Sequence, residues 1–308
     1  MQFIDEWVRK GELEQSVFLK PLNLTRERLR QWRRRLGQPN LHNGRIPRAH
    51  QILPEERDAI LAFHAENSLE GYRRLTYMMM DREVAFVSPA TTYRVLKAAG
   101  LIKARVRRVS KKGQGFKQPN APHRHWHIDI TYIKVKGVFY YLILVLDGYS
   151  RFIVSWDLRP TMTEADVEIV IQRGREAFPA ARPRIISDRG TQFASRDFRE
   201  FMRLVGLVHT MTAPYYPQSN GKLERCNKTI KEFLETTYLA DFADALRLIA
   251  NFVDYYNVER LNSAIGYVAP ADKLAGREKL IFEARDRGLQ SAADKRRATR
   301  LANDQVAA

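Results

Sequence analysis

The 308-residue chain has a single cysteine, Cys226, so it can form neither an internal disulfide nor a cysteine-based zinc site. It has no apolar run near the roughly 18 residues needed to cross a bilayer. Its first residues, MQFIDEWVRKGELEQ, carry early acids and lack the apolar stretch of a secretory leader. These absences lead to the expectation of a cytoplasmic protein with no membrane partner. Acids are also scarce: 35 Asp+Glu stand against 52 Lys+Arg, a net charge of +17, with a pI near 10. A field of that sign favours a polyanion, and nucleic acid is the expected partner. Hydrophobic residues make up 44% of the chain, enough for a sizeable core and too many for global disorder.

The positive charge is unevenly placed. Residues 1–122 hold 24 Lys+Arg against 12 Asp+Glu, and the remainder holds 28 against 23. Within residues 12–37 an amphipathic stretch meets a turn at Leu22–Thr25, and a second helix follows with Thr25 as N-cap and Gly37 just past its end. Leu29, Trp32 and Leu36 read as its buried stripe, while Arg26, Arg28, Arg30, Arg33, Arg34 and Arg35 cover the rest. This is a helix-turn-helix pattern whose basic second helix suits a DNA groove, giving an N-terminal DNA-binding unit over residues 1–50. A second helical unit is expected over 51–102. It has helix starts at Pro54 and Ser88–Pro89, a middle helix in GYRRLTYMMM, a stop at Gly100, and core filling by Met78–Met80. Residues 103–122 read as a basic linker. The stretch 101–122 holds seven Lys/Arg and no acid, and Lys103, Arg105, Arg107, Arg108, Lys111 and Lys112 are its candidate phosphate contacts.

From residue 123 the texture changes. In HWHIDITY, residues 125–132, polar and apolar residues alternate, which predicts a strand with one polar face bearing Asp129. VFYYLILVLDGYS reads as a central buried strand and RFIVSWDL as a third. The order β-β-β-α-β-α-β-α-α follows, an α/β layered domain over 123–284 whose first three strands form an antiparallel meander. Residues 285–308, polar and Ala-rich, read as a loosely held tail.

Three acids stand out by position. Asp129 lies within the first strand, Asp188 at the end of the fourth, and Glu224 at a helix start after a Pro/Asn/Gly loop; 35 residues separate Asp188 from Glu224. Clustered carboxylates need a cation, and hard oxygen ligands favour Mg²⁺ or Mn²⁺; a two-metal site would act on a phosphodiester. Lys228 and Lys231 share the face of Glu224, where they would grip phosphates. His123, His125 and His127 alternate and read as polar-face residues at a domain edge rather than metal ligands. Cys226 reads as packing, Asp147 as a structural turn residue, and Asn220–Gly221 as shaping the loop before Glu224.

The stretches WHIDITYIKVKGVFYYLILVLDGYSRFIVSW, SDRGTQFAS and APYYPQSNGKLERCNKTIKEF resemble the D,D(35)E integrase and transposase superfamily, including its 35-residue gap. The GYRR unit upstream and YYNVERLNSAIGYVAP downstream are most similar to bacterial insertion-sequence transposases of the insertion-sequence-three, OrfB-like type. Many relatives have Pro-His where this chain has Leu261–Asn262. The resemblance implies a ribonuclease-H-like core, a five-stranded mixed sheet with flanking helices, preceded by small all-α helix-turn-helix units. It assigns Asp129, Asp188 and Glu224 as catalytic metal ligands for two Mg²⁺ or Mn²⁺ ions, and supports Lys228 and Lys231 as contacts to the DNA end. It further implies cleavage at terminal inverted repeats, strand transfer into target DNA, a homo-oligomer pairing two ends, and a possible accessory or fusion partner. Two other readings share these features: a ribonuclease-H-like nuclease that does not join, and a non-catalytic DNA-binding derivative of a transposase.

If the basic stretch neutralises about six phosphates, DNA affinity falls roughly 10³-fold or more between about 50 and 200 mM salt. A salt titration of DNA binding checks this, and a nearly flat response contradicts it.

Overall fold

The protein's structure, a computed structural model, describes residues 2–34, 36–37, 51–102, 118–212 and 221–306. It divides into two units, Met1–Gln51 and Ile52–Ala308. In the first unit three short helices, α1 (Gln2–Gly11), α2 (Gln15–Leu19) and α3 (Arg26–Arg34), close around Ile4, Leu19 and Leu29. The Thr25 hydroxyl accepts from the Arg28 N–H at 3.2 Å and so caps α3, and Gly37 follows with φ +83°. The expected stripe Leu29, Trp32, Leu36 does not form. Leu29 is buried, but Trp32 and Leu36 are exposed, because α3 stops at Arg34 and so small a core leaves no surface to cover them.

The second unit opens with α4 (Pro54–Glu66), α5 (Tyr72–Asp81) and α6 (Pro89–Ala98), which pack around Ile60, Leu75, Met79 and Leu96. The Met78–Met80 run fills this core, with Met79 fully buried. Glu56 closes the start of α4 by accepting from the Leu53 N–H at 2.8 Å, and Ser88 caps α6 by accepting from Thr91 N–H.

The strands are β1 (His125–Val135), β2 (Val138–Asp147), β3 (Ile153–Arg159), β4 (Arg184–Ser187) and β5 (Val208–Met211). They form one sheet in the order β3-β2-β1-β4-β5. β1–β2 and β2–β3 pair antiparallel, whereas β1–β4 and β4–β5 pair parallel. This is the expected ribonuclease-H-like arrangement. Lys136 and Gly137, both at positive φ, make the two-residue turn that matches the twist of β1 and β2. Helices α7 (Glu164–Ala177), α8 (Thr191–Ala194) and α9 (Arg196–Leu204) belong to one side, where Trp126, Ile128, Ile143 and Val145 meet Val167, Val170, Ile171 and Phe198. Helices α10 (Gly221–Glu235) and α11 (Phe242–Val258) cover the other, where Ile133, Val135 and Leu144 meet Leu223, Ile230 and Phe252. β1 is therefore covered on both sides, and the expected polar face is not solvent: His127 and Thr131 are buried with Asp129 between them.

The 51–102 helices and the C-terminal segment are tied to the sheet domain. Arg74 of the GYRR stretch donates to the Leu261 carbonyl at 2.8 Å and pairs with Glu70, which Arg260 and Tyr255 also approach at 3.5 Å. Asn257 hydrogen-bonds both the N–H and the carbonyl of Ile153, fastening α11 to the edge strand. After α12 (Pro270–Leu274), residues Glu278–Val306 form one 29-residue helix, α13, where a loose tail from 285 was expected. Arg285 forks onto Asp81 at 2.7 Å on both prongs. Arg296 holds Glu56 at 2.7–3.0 Å and the Phe86 carbonyl at 2.6 Å. Both guanidiniums are buried. Between them Gly288 gives its Cβ space to the Phe86 ring, which would lie 2.0 Å from an added Cβ. No described helix is long and apolar enough to cross a membrane.

Removing one partner of a buried ion pair leaves the other charge unpaired. Arg296→Ala is therefore expected to cost about 2–4 kcal/mol, read as a lower urea midpoint at unchanged slope. A change within about 0.5 kcal/mol, as for an ordinary surface site, would show that α13 is not a structural clasp.

Candidate active site

Asp129 lies in the middle of β1, opposite Leu144 of β2. On its other side β4 runs parallel, with His127 opposite Ile186. Two residues after this pair come Asp129, still within β1, and Asp188, the first residue past the end of β4. Asp188 itself is exposed, just past β4. Its carboxylate accepts from Gly190 N–H at 2.9 Å, and the Ser187 hydroxyl bridges the Asp188 carbonyl and His209 Nε2. The third acid arrives on α10, which crosses this face. Leu223, Cys226, Ile230 and Leu234 anchor that helix in the core, leaving Glu224 and Lys228 exposed and Lys231 half-buried. Asp129, Thr131, Glu224, Asn227, Lys228 and Lys231 line one open groove, along with Glu232 and Glu235.

Asn227 is the residue that sequence reasoning missed. Its side-chain amide donates to Asp129 Oδ2 at 2.8 Å. It sits three residues after Glu224, one helical turn on, and that spacing was the available signal. Burial, reinforced by the negative fields of Asp188 and Glu224, pushes the Asp129 carboxyl up to about 7, against the partial relief of the Asn227 hydrogen bond. Such a surplus of negative charge in an all-oxygen donor set fits a hard divalent cation. The three carboxylates are not drawn to ligand spacing, however: among the described residues no three His, Cys, Asp or Glu side chains are close enough to hold a metal ion.

Residues 119–217 match the family model described as the integrase core domain, and residues 205–270 match a second model of that description. The transposase for insertion sequence element IS904 of Lactococcus lactis is 27% identical over 241 residues, covering 72% of this chain and 93% of the relative. The putative transposase InsK for insertion sequence element IS150 of Escherichia coli is 23% identical over 286 residues, covering 87% and 92%. The chain is thus similar, across its sheet domain, to integrase cores and insertion-sequence transposases. Among solved structures, the catalytic core of HTLV-2 integrase in complex with magnesium is similar at 22% identity and a TM-score of 0.41, covering 48% of this transposase-like chain and 95% of that one.

The other candidates of this integrase-core-like chain separate clearly. The His123 ring accepts from the Trp126 indole N–H at 3.1 Å and stacks on Phe178, and burial lowers its pKa. His127 is buried against Gly148, whose added Cβ would come within 3.0 Å of the ring. Neither position offers a ligand to a shared ion. Cys226 is buried, and burial pushes its thiol up to about 12, as suits packing rather than nucleophilic chemistry. Asp147 is fully buried and accepts from the His123, Tyr149 and Ser150 N–H groups and the Ser150 hydroxyl, a turn-building role. Lys228 pairs loosely with Glu232 at 3.6 Å. Arg26, Arg28, Arg30, Arg33 and Arg34 are all exposed on α3. Arg30 is engaged by Glu27 and Arg33 by Asp5, while Arg28 and Arg34 have no ion pair among the described residues. Lys103, Arg105, Arg107, Arg108, Lys111 and Lys112 lie outside the described residues, as does Asn220.

Because the Asp129 pKa rises from near 4 in the unfolded chain to about 7 in the fold, the native state binds the extra proton. Stability is therefore lost as pH rises from about 4 to about 7. Asp129→Asn is expected to stabilise the metal-free protein by about 1–3 kcal/mol above pH 7 and to leave it unchanged below pH 4. Thermal melts in chelator across that range check the sign; equal melts at every pH would contradict it.

Proposed function

We propose that this chain is the transposase of a bacterial insertion sequence, binding element ends and joining them to target DNA through metal-dependent phosphodiester chemistry. Asp129, Asp188 and Glu224 are the residues that would hold divalent cations, Mg²⁺ or Mn²⁺, two per site. The observation carrying this reading is that Asp129 within β1 feels the fields of both Asp188, just past the neighbouring parallel strand β4, and Glu224 on α10, the helix that also bears Lys228 and Lys231. When bound, such ions would lower the pKa of an attacking water or 3′-hydroxyl and offset charge on the leaving oxygen.

The chain's own residues supply the rest. Asn227 holds the Asp129 carboxylate by donating to its Oδ2 and would orient it toward a bound ion. Lys228 and Lys231 offer ammonium groups to phosphates beside the scissile bond. The arginines of α3 and the basic stretch 103–112 supply sequence-tolerant attraction, and helix-turn-helix units would read the terminal inverted repeats. A homo-oligomer that pairs two ends, and an accessory or fusion partner, complete the reading.

The test is strand transfer of labelled element-end DNA into a plasmid with Mg²⁺ or Mn²⁺. Wild type should give joined products and Asp188→Asn should lose them by about 10³-fold or more while still binding DNA. Cleavage without joining would identify a nuclease. DNA binding with no chemistry from either protein, even with extracts that could supply a partner, would identify a binding derivative.

A further inference from the structure

The turn after β2 holds a pair of cations that the proposed metal chemistry does not use. The Gly148 carbonyl receives both Arg151 Nη1 and Lys222 Nζ, each at 3.0 Å. Among the described residues neither side chain forms an ion pair. The acid whose field reaches both is Asp147, and its carboxylate is buried and already accepts four hydrogen bonds. Arg184 adds positive charge on the same side, near enough to act with Lys222 on His125. The N-terminus of α10 begins at Gly221, beside Lys222, and contributes the positive end of its dipole. Two cations on one neutral carbonyl repel each other, and a single anion would satisfy both.

The backbone points the same way. Arg151 adopts φ +66°, a left-handed conformation that glycine would adopt at no cost. The guanidinium at this position is half-buried and has no carboxylate ion pair among the described residues. Lys222 precedes Glu224 by two residues on α10, and neither Lys222 nor Arg151 is among the residues lining the acid groove.

We propose that Lys222 and Arg151 form a binding site for one phosphate, occupied in function by a backbone phosphodiester of the DNA substrate. The assignment of DNA as the source rests on the transposase reading; the chemistry recognised is that of a phosphate oxyanion. The side chains would rotate from the Gly148 carbonyl onto the anion, which replaces one shared neutral acceptor with charge-assisted bonds.

The test uses the full chain without divalent metal, so no chemistry is involved. Affinity for duplex DNA is measured across salt concentrations for wild type, Lys222→Gln, Lys222→Arg, Arg151→Gln and, as a remote control, Lys279→Gln. Inorganic phosphate is titrated against the melting temperature of each. Loss of one phosphate contact should weaken binding roughly 10-fold at fixed salt and lower the slope of log affinity against log salt by about 1 in both inner Gln variants. Lys222→Arg and the control should keep the wild-type slope, and the stabilisation by inorganic phosphate should shrink in the inner Gln variants alone. Phosphate stabilisation lost with an unchanged DNA slope would assign the site to free phosphate and overturn the DNA assignment. Unchanged slopes and phosphate responses in both would overturn the site and leave the two cations as fasteners of the turn. Should Arg151→Gln fail to fold, the Lys222 pair decides. Failure of wild-type strand transfer would sink the transposase reading without touching these binding results, so the two failures are separable.

Discussion

The 2.8 Å hydrogen bond from Asn227 to Asp129 joins α10 to the middle of β1, and much of the fold is arranged so that it can exist. β1 lies between β2 and β4 and is covered on both sides, so a carboxylate at its centre is desolvated whatever its role. The side-chain donor that reaches it comes from the covering helix. That helix is held by Leu223, Cys226, Ile230 and Leu234, which fix its rotation and thereby put Asn227 inward and Glu224 and Lys228 outward. The same rotation explains why one face of α10 contributes both to the core and to the groove: residues three and four apart share a stripe, and the edge of that stripe is the edge of the site.

A buried carboxylate with two more acids in its neighbourhood is a standing cost, and the surrounding structure bears it through long-range ties. Asn257 pins the edge strand through both backbone groups of Ile153, so β3 cannot peel from β2. Glu70 and Arg74 bind the GYRR helix to Tyr255, Arg260 and Leu261. Arg285 and Arg296 then close α13 over the three-helix layer. Each tie is a guanidinium or amide with several partners rather than a lone surface pair, the geometry in which such contacts exceed the small value of exposed ion pairs.

What was legible in the sequence is what local physics decides. Thr25 and Ser88 announce their helices as caps, the Met78–Met80 run announces a core, and the period-two stretch around Asp129 announces a strand. The meander followed from element order, whereas the mixed sheet was implied by the family resemblance. Misreadings arose where partners are remote. Arg285 and Arg296 sit in a polar, Ala-rich stretch that resembles a tail, and their acids lie 204 and 240 positions earlier in the chain. Trp32 and Leu36 follow the helical period of Leu29, yet periodicity says which face a residue is on and not whether anything covers that face. The three acids were legible as positions. Their separation in space was not, because it depends on the relation of α10 to the sheet, which no local pattern encodes.

The electrostatic organisation of the chain follows from an internal conflict. The groove that would receive DNA is lined by acids, Asp129, Glu224, Glu232 and Glu235, and a phosphate approaching it is repelled. Attraction must therefore come from cations that share the groove with the acids or surround it. Lys228 and Lys231 stand on the same helix one and two turns beyond Glu224, and the net charge of +17 is concentrated in the residues that precede the sheet domain. Long-range attraction from a basic half of the chain falls off over about 10 Å at moderate salt, so it can bring a duplex close but cannot hold a particular phosphate against the acids. Holding requires short-range contacts whose geometry is fixed by the fold, and α10, rigidly seated on β1, is the element able to provide them. The seating that buries Asp129 therefore also gives the neighbouring cations their fixed positions.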